Sequence, residues 1–524
     1  MGEEKGITSD VLIIGCGIAG ASAALEAAKN GLSVILVTKN SSLEESNTYY
    51  AQGGIVSLGH DDYPELLKKD IIESGDGINN PEAVEILASE GKKIVDEILI
   101  KELNIPFSRS TPDSLDYAQE AGHSRRRILH IKDTTGKTIE ERFVTALKKL
   151  SNVILLTDHT AVDLLTVPHH SKNPVSFYKE PQCIGAYVLD NQTKKVKAIF
   201  APYTILATGG CGAIYLYTSN PSGAIGDGYA MAYRAGARIV NMEYIQFHPT
   251  SLFHRDADGF LISETVRGEG ARLKTREDQT FMENYNEKKE LAPRDEVTRA
   301  IYEEMTNSNS RYVYLDLVSY AKCDIKKRFP NIYKTCLKYG IDVTKESIPV
   351  VPAAHYCCGG IMVDEWGRSS LKNLYSVGEA SCTGVHGANR LASTSLLEGL
   401  VWGKRASKYI ASHFDPAMPY KPSDIHEWYY PEKEEEVDPA LINQDWISIR
   451  STMWYYAGII RTQKRLERAK ADLDYLCHRI EKFYKEAGMD AKVVGLKHGI
   501  QVALLITYAA LGNPVSRGAH YKKD

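Results

Sequence analysis

Histidine and arginine side chains recur in short motifs between residues 246 and 390. Four of them stand in the motifs QFHPT (His248), LAPRD (Arg294), AAHY (His355) and HGANR (Arg390). A small dicarboxylate needs cationic, fork-shaped partners at both ends, and arginine is the side chain suited to that role. Taken singly, each histidine is more often structural and each arginine more often part of a surface ion pair. Together they predict a site for a small dicarboxylate.

A glycine-rich turn near the N-terminus indicates a nucleotide site. The sequence predicts a strand over 10–14, an alanine-rich helix over 19–30 and a second strand over 33–37. In such a β-turn-α-β unit, glycines permit a tight turn and close approach to a pyrophosphate, which meets the positive end of the helix. An ordinary tight turn is the alternative. The predicted contacts in the turn are Gly15, Cys16, Gly17, Ile18, Ala19 and Gly20.

In nucleotide folds of this type, an acidic residue about 20 residues after the glycine turn usually hydrogen-bonds the ribose. This chain has no acid there; its second strand ends Val37-Thr38-Lys39. Thr38 and Lys39 could instead hold the adenosine part, through a hydroxyl group and a cationic contact to phosphate. Two later apolar strands are predicted within 203–210 and 374–380, and both end in glycine-containing turns.

The run of residues 47–55, NTYYAQGGI, follows this unit. Alone it is only a flexible loop. With the glycine turn, it resembles the flavin-contacting loop of the fumarate reductase, succinate dehydrogenase and L-aspartate oxidase flavoproteins, and the resemblance extends over essentially the whole chain. It implies FAD as cofactor. Beyond the glycine turn, the FAD contacts it implies are Lys39, Asn47, Thr48, Tyr49, Tyr50, Ala51, Gln52, Gly53, Gly54, Ala161, Val162, Asp227, Glu379, Ser395 and Leu396.

The resemblance also implies roles for the dicarboxylate motifs. His248, His355 and Arg390 would bind the substrate carboxylates, with Ser263 hydrogen-bonding one of them. Arg294 would exchange a proton with the reacting carbons. Because an arginine is nearly always protonated, it can do this only in a closed site, so closure of a capping domain must matter.

Two positions divide the family. Asn47 stands where the membrane-complex members carry a histidine bonded to FAD, which predicts non-covalent FAD. Glu120 stands where succinate dehydrogenases have glutamine, in a run typical of L-aspartate oxidases. A carboxylate there could anchor a substrate ammonium group, and whether it also acts as a base is left open. The alternative is a surface acid paired with the arginines at 125–127.

These features predict oxidation of L-aspartate to iminoaspartate by hydride transfer to FAD, the step that opens NAD synthesis. The resemblance implies reoxidation by O2, giving H2O2, or by fumarate, and allows quinolinate synthase as a partner. The alternatives are a soluble fumarate reductase or succinate dehydrogenase flavoprotein subunit, and a binding module without catalysis. Asn47 and Glu120 argue against the first, and the intact dicarboxylate motifs argue against the second.

The predicted fold class is an α/β FAD-binding Rossmann-like domain with an inserted α+β capping domain and a C-terminal helical bundle domain. The expected boundaries are 1–240 with 356–414, then 241–355, then 415–524, with a proline-rich acidic linker over 415–440. Apolar residues from Leu466 to Phe483 recur at helical spacing and predict a bundle helix.

Composition narrows the class of protein. The net charge of −4 over 524 residues gives no case for nucleic acid or membrane binding. No apolar run is expected to approach the ~18–20 residues of a membrane span. Nine cysteines at no metal-like spacing predict reduced thiols, no metal site and a cytosolic location. The sequence does not indicate an oligomeric state.

Overall fold

A parallel sheet forms the centre of the structure, a computed structural model that describes residues 7–132, 134–257, 259–320, 323–417, 420–430 and 435–523. The sheet has five strands, all paired in parallel. Their order across the sheet is Leu374–Ser376, Tyr203–Leu206, Val11–Ile14, Val34–Val37 and Val153–Leu156. The two early strands and the two later ones that the sequence predicted therefore lie side by side, and their carboxyl ends share one edge.

The predicted helix after the glycine turn spans Ile18–Lys29 and is almost entirely buried. It lies against the long helix Thr394–Ser412, where small residues allow close approach. A Cβ atom on Gly403 would come within 2.4 Å of the Ala19 carbonyl oxygen. This packing brings the C-terminal part of the FAD-type motifs, around residue 390, next to the glycine turn.

Smaller sheets surround the parallel sheet. A four-stranded antiparallel sheet carries His248 and His355, and its strands in order are Ile245–Leu252, Ile348–Cys357, Val313–Asp316 and Arg272–Lys274. A second four-stranded sheet contains Ile7–Thr8, Val196–Phe200, Gln182–Asp190 and His159–Val167. Short strands form the remaining sheets: Ile239–Val240, Gly360–Met362 and Ser381–Cys382; Ile55–Val56, Ile128–Leu129 and Tyr117–Ala118; Arg109–Thr111 and Ser114–Leu115.

The other helices cover these sheets. The α-helices not yet given are Asn47–Tyr50, Pro64–Ser74, Pro81–Ile94, Thr135–Leu147, Asp227–Arg234, Glu264–Gly268, Arg294–Asn307, Ile325–Arg328, Pro330–Lys338, Pro439–Tyr456, Gln463–Glu486 and Ala491–Gly512. A π-helical segment, Val95–Glu102, continues the fourth of the chain's helices. Short 3-10 turns lie at Pro174–Tyr178, Gly212–Ile214, Met282–Asn284, Lys289–Leu291, Gly378–Ala380 and Pro422–Asp424.

The three last helices pack on one another, which confirms the predicted helical C-terminal region. In Gln463–Glu486 the apolar stripe faces inward from Leu466 to Ile480, whereas Phe483 is half-buried. The predicted linker is described except at residues 418–419 and 431–434, which lie outside the described residues.

The last helix comes near the predicted limit on apolar runs, but Lys492, Lys497 and His498 interrupt it, so it holds no continuous apolar run of ~18–20 residues. The helix Ala491–Gly512 contains an 18-residue window with a mean hydropathy of 1.4, long and apolar enough by composition to span a membrane. Two-thirds of that window is buried inside the protein (67%), as expected of a core helix. Its interior position explains the composition, because a helix packed on several sides needs apolar residues all round.

Candidate active site

A single continuous cavity joins the glycine turn to the histidine and arginine motifs. All six predicted substrate residues line it: Glu120, His248, Ser263, Arg294, His355 and Arg390. The predicted cofactor residues line it as well, with three exceptions among the described residues. These are Gly20, Tyr49 and Val162.

Close backbone packing shapes the nucleotide end of the cavity. Gly15 has a φ of +111°, and a Cβ atom there would lie 2.1 Å from the carbonyl oxygen of Ala207. Gly20 lies behind the cavity, where a Cβ atom would come within 2.0 Å of the Gly15 carbonyl oxygen. The helix starts at Ile18 with Gly17 as its N-cap, so the positive end of the helix faces the space in front of the turn. The Ile18 N–H donates to Thr48 Oγ1 at 3.0 Å.

A buried ion network lies beside the nucleotide end. The Lys39 ammonium group pairs with the Asp227 carboxylate, and His498 from the last helix bonds the other carboxylate oxygen at 2.9 Å. Although burial opposes it, the charge of Lys39 and the bonds from His498 and Lys39 lower the pKa of Asp227. Lys39, predicted as a phosphate contact, is thus held at the cavity wall by an acid.

Near the centre of the cavity, Glu379 accepts a hydrogen bond from the Asn47 side chain at 3.1 Å and from the Cys357 N–H at 3.0 Å. Burial raises the pKa of Glu379 to about 7. Among the described residues, Asn47 Oδ1 and Gln52 Oε1 are buried without a hydrogen-bond partner. Since buried polar atoms are nearly always bonded, these two oxygens mark places where a ligand donates hydrogen bonds.

His248 and His355 face each other from neighbouring antiparallel strands. His248 pairs with Ala353 in the ladder, so His355 lies two residues further on the same face. The ring centres are 5.5 Å apart. Burial, followed by the nearby arginines, holds the pKa of both rings well below the usual range, so both are neutral. His248 accepts the Thr250 N–H at Nδ1 (3.2 Å), which leaves its Nε2–H as a donor.

Arg390 is buried and oriented by three neighbours. Its Nε donates to Gln246 Oε1 at 3.2 Å and its Nη1 donates to Ser395 Oγ at 2.7 Å. The guanidinium group also lies over the Tyr356 ring, 4.7 Å from the ring centre. An arginine fixed in this way presents a preformed cation to a carboxylate.

Three charged side chains form a largely buried row at the substrate end of the cavity. Arg294, the first residue of Arg294–Asn307, donates to Glu264 Oε2 at 2.5 Å. The other oxygen of Glu264 lies 3.3 Å from Nη2 of the fully buried Arg267. Despite burial, the charges of Arg294 and Arg267 lower the pKa of Glu264. Ser263, one residue earlier, caps its short helix by accepting the Thr265 N–H.

Glu120 lies in this cavity and is not a surface acid. Its Oε2 accepts a hydrogen bond from Ser393 Oγ at 2.7 Å. Burial raises the pKa of Glu120, against the opposing effects of Arg294, Ser393 and Arg390. The carboxylate therefore faces the two arginines that a dicarboxylate would use, and the predicted alternative of pairing with residues 125–127 does not describe it.

Comparison with known proteins gives two family models that together span most of the chain. A model described as an FAD binding domain matches residues 10–396, and one described as the fumarate reductase flavoprotein C-terminus matches residues 447–524. An L-aspartate oxidase of Acinetobacter baylyi is 40% identical over 98% of this chain and 93% of its own length. One of Halobacterium salinarum is 40% identical over 99% of this chain and 97% of its own.

The chain belongs to the L-aspartate oxidase family.

A solved structure shares the fold of this member of the L-aspartate oxidase family. A quinol-fumarate reductase flavoprotein of E. coli matches with a TM-score of 0.86 and 25% identity, covering 99% of this chain and 91% of its own. The fold class predicted from the sequence is thereby confirmed.

The residues present fit the FAD of the L-aspartate oxidase family. Gly15 and Gly17, the glycine cradle, line the cavity at the start of the helix, whose positive end would face the FAD pyrophosphate. The buried oxygens of Asn47 and Gln52, which lack a partner among the described residues, would accept hydrogen bonds from N–H or hydroxyl groups of FAD. When bound, FAD supplies the acceptor for a hydride.

The three predicted contacts outside the cavity have other surroundings. Gly20 packs against the glycine turn, and Tyr49 lies under the Lys137 ammonium group. The Val162 side chain is in the core, and its carbonyl oxygen accepts hydrogen bonds from Arg234 and His498.

Sequence reasoning missed two residues at the substrate end. Glu264 follows Ser263 in the sequence and stands three residues before Arg267, and an acid spaced to pair with an arginine on one helix was a usable signal. Ser393 gave no signal, because its role depends on a left-handed backbone and a distant carboxylate, neither of which a sequence shows.

The glycine cradle yields a direct prediction for cofactor binding. The Gly20→Ala variant should lose at least about tenfold in FAD affinity, because its Cβ atom must displace the backbone of the turn. FAD fluorescence titration of the apoprotein measures it. The matched control is Gly512→Ala, where nothing lies within 4 Å of the added atom. Equal affinities for both variants would contradict the assigned cradle.

Proposed function

We propose that this chain oxidises L-aspartate to iminoaspartate with FAD as the hydride acceptor, the first step of NAD synthesis by the quinolinate route. The observation that carries the proposal is the Glu120 carboxylate, which lies in one cavity with Arg390, His248 and His355. A site for two carboxylates and one ammonium group fits aspartate. The two relatives that are 40% identical to this chain are named L-aspartate oxidase.

The two substrate carboxylates would bind through one preformed cation and two neutral donors. Arg390 has its direction fixed by Gln246 and Ser395. His248 and His355 are neutral, so they contribute hydrogen bonds and no charge. This arrangement lowers the number of buried charges that the empty site must hold, which favours folding as well as binding.

The substrate ammonium group would bind at Glu120. An ionised carboxylate stabilises the ammonium group in the water-poor cavity far more than a glutamine amide could. The amine must lose a proton before hydride leaves Cα. The Glu120 carboxylate, placed beside the ammonium group, could accept that proton. Both roles, accepting that proton and anchoring the amine, need the ionised carboxylate.

When fumarate serves as the electron acceptor, one of its carbons receives a hydride and the other a proton, and Arg294 would supply that proton. Glu264 contacts both Arg294 and Arg267. A proton that leaves Arg294 can therefore be replaced through Glu264. The row of three charges holds Arg294 in place and restores it after each turnover.

The substrate end combines two structural layers. Glu120 and Arg390 come from segments next to the parallel sheet, whereas His248, Arg294 and His355 come from the antiparallel sheet and its helix. We propose that residues 241–355 form a capping domain whose closure brings these layers together over substrate. We also propose that FAD is non-covalent, since Asn47 offers an amide where bonding needs an imidazole.

The acceptor for the electrons is proposed to be O2, giving H2O2, or fumarate, and quinolinate synthase is a proposed recipient of the labile product. A cytoplasmic location is supported by the thiols, because all nine cysteines, which fall within the described ranges, are free.

The function is tested by anaerobic reduction of the bound flavin. L-aspartate should bleach the flavin absorbance of the holoenzyme, whereas succinate should bleach it at least about 100-fold more slowly, because succinate has no ammonium group to pair with Glu120. Stopped-flow absorbance measures both rates. Bleaching by succinate and not by L-aspartate would replace this proposal with a succinate dehydrogenase activity.

The row formed by Arg294, Glu264 and Arg267 leads to a prediction about the rate of fumarate reduction. The Glu264→Gln variant should reduce fumarate about 100-fold more slowly, since it cannot return a proton to Arg294. Its anaerobic reduction by L-aspartate should fall much less, because that half-reaction delivers no proton to carbon. The matched control is Glu269→Gln, which alters only the more exposed pair with Arg328. Equal losses in both half-reactions would show that Glu264 acts only on binding or stability.

A further inference from the structure

Ser393 occupies a strained position beside the substrate end. It immediately precedes the helix Thr394–Ser412 with φ 57° and ψ 8°, the left-handed region that serine rarely adopts. Strain of this kind persists only where surrounding contacts impose it, and it concentrates at functional sites. The contacts that impose it on Ser393 are visible on both its backbone and its side chain.

The backbone of Ser393 is hydrogen-bonded to the short strand Ile55–Val56, which directly follows the loop of residues 47–54. Its carbonyl oxygen accepts a hydrogen bond from the Val56 N–H at 3.2 Å. A serine that precedes a helix commonly caps it with its own hydroxyl group. Here the left-handed backbone turns the hydroxyl group away, and it donates to Glu120 Oε2 at 2.7 Å.

The carboxylate of Glu120 is confined between Ser393 and the loop. A Cβ atom on Gly53 would lie 2.7 Å from Glu120 Oε1 and 3.3 Å from Ser393 Oγ. One carboxylate oxygen is thus packed against the loop backbone and the other is held by the serine. Any rotation of the carboxylate must break one of these two contacts.

We infer that Ser393 is a positioning residue that aims the Glu120 carboxylate at the substrate ammonium group and keeps it ionised. The inference rests on the proposed function. Its hydroxyl group donates a charge-assisted hydrogen bond, which favours the ionised form of a carboxylate. The strained backbone is maintained because only that conformation brings the hydroxyl group to Glu120.

The charged groups that face Glu120 set the direction of the effect. Arg294 and Arg390 favour its ionised form, whereas burial and the nearby Glu264 oppose it. Removal of the Ser393 donor therefore raises the pKa of Glu120. Since binding of an ammonium group needs the ionised carboxylate, activity with L-aspartate is lost below that pKa, and its acid limb moves to higher pH.

The Ser393→Gly variant tests this role without adding strain, because glycine adopts the left-handed region freely. We expect the acid limb of kcat/KM for L-aspartate to move up by about one pH unit, as loss of one charge-assisted hydrogen bond allows. The profile for fumarate, which has no ammonium group, should keep its acid limb. Ser393→Asn, which tolerates the same backbone and retains a donor, should restore much of the wild-type profile.

A second readout does not depend on turnover. Infrared difference spectra against the Glu120→Gln variant report the protonated carboxyl group of Glu120, and its titration should shift upward in Ser393→Gly. The control for the backbone change is Asn373→Gly, which relieves another left-handed residue (φ 65°) outside the cavity lining and should leave the titration unchanged.

The outcomes separate this inference from the function it rests on. If the wild-type enzyme oxidises L-aspartate but Ser393→Gly shows an unshifted acid limb and titration, the inference alone is wrong. Equal shifts for L-aspartate and fumarate, or loss of bound FAD, would also overturn it, because the serine would then act on the whole site. If the wild-type enzyme does not oxidise L-aspartate, both the function and the inference fall.

Discussion

Buried arginines in a water-poor cavity are the constraint on which the rest of the site depends. Arg267, Arg294 and Arg390 are enclosed together, and unpaired charges at such depth would be strongly destabilising. Glu264 balances two of them, and Glu120 faces the third. The histidines avoid the same cost by staying neutral. Under the proposed function, the site would therefore bind two carboxylates with fewer fixed cations than its residue types suggest.

The fold holds the two balancing carboxylates, those of Glu120 and Glu264, in place by separate contacts. Arg127, which is fully buried, bonds Asp62 at 2.7 and 2.9 Å and Asp70 at 2.6 Å, and so anchors the loop that carries Glu120. The arginines predicted as alternative partners of Glu120 thus include one with a structural task of its own. Glu264 is fixed by its place in the first turn of a short helix.

Much of the fold could be predicted from the sequence, because the signals were local. The glycine turn, the alanine-rich helix and the stripe from Leu466 to Ile480 each follow from spacing within a few residues. The candidate site was partly predictable: its histidines and arginines stood in recognisable motifs, and the structure brings them into one cavity. Ser393 was not predictable, since its partner Glu120 is 273 residues away. The last helix has a high mean hydropathy although Lys492 and Lys497 interrupt its apolar run, because the residues around them are strongly apolar.

We propose that the carboxylate of Glu120 makes a site of the fumarate reductase type selective for an amino acid. Steady-state kinetics of the Glu120→Gln variant test it most directly, with kcat/KM for L-aspartate and the inhibition constant for succinate measured side by side. The account predicts that kcat/KM falls at least about 100-fold while succinate binds as tightly as before or more tightly, because a buried charge pair is lost for one ligand only. Parallel losses for both ligands, or unchanged kcat/KM for L-aspartate, would contradict it.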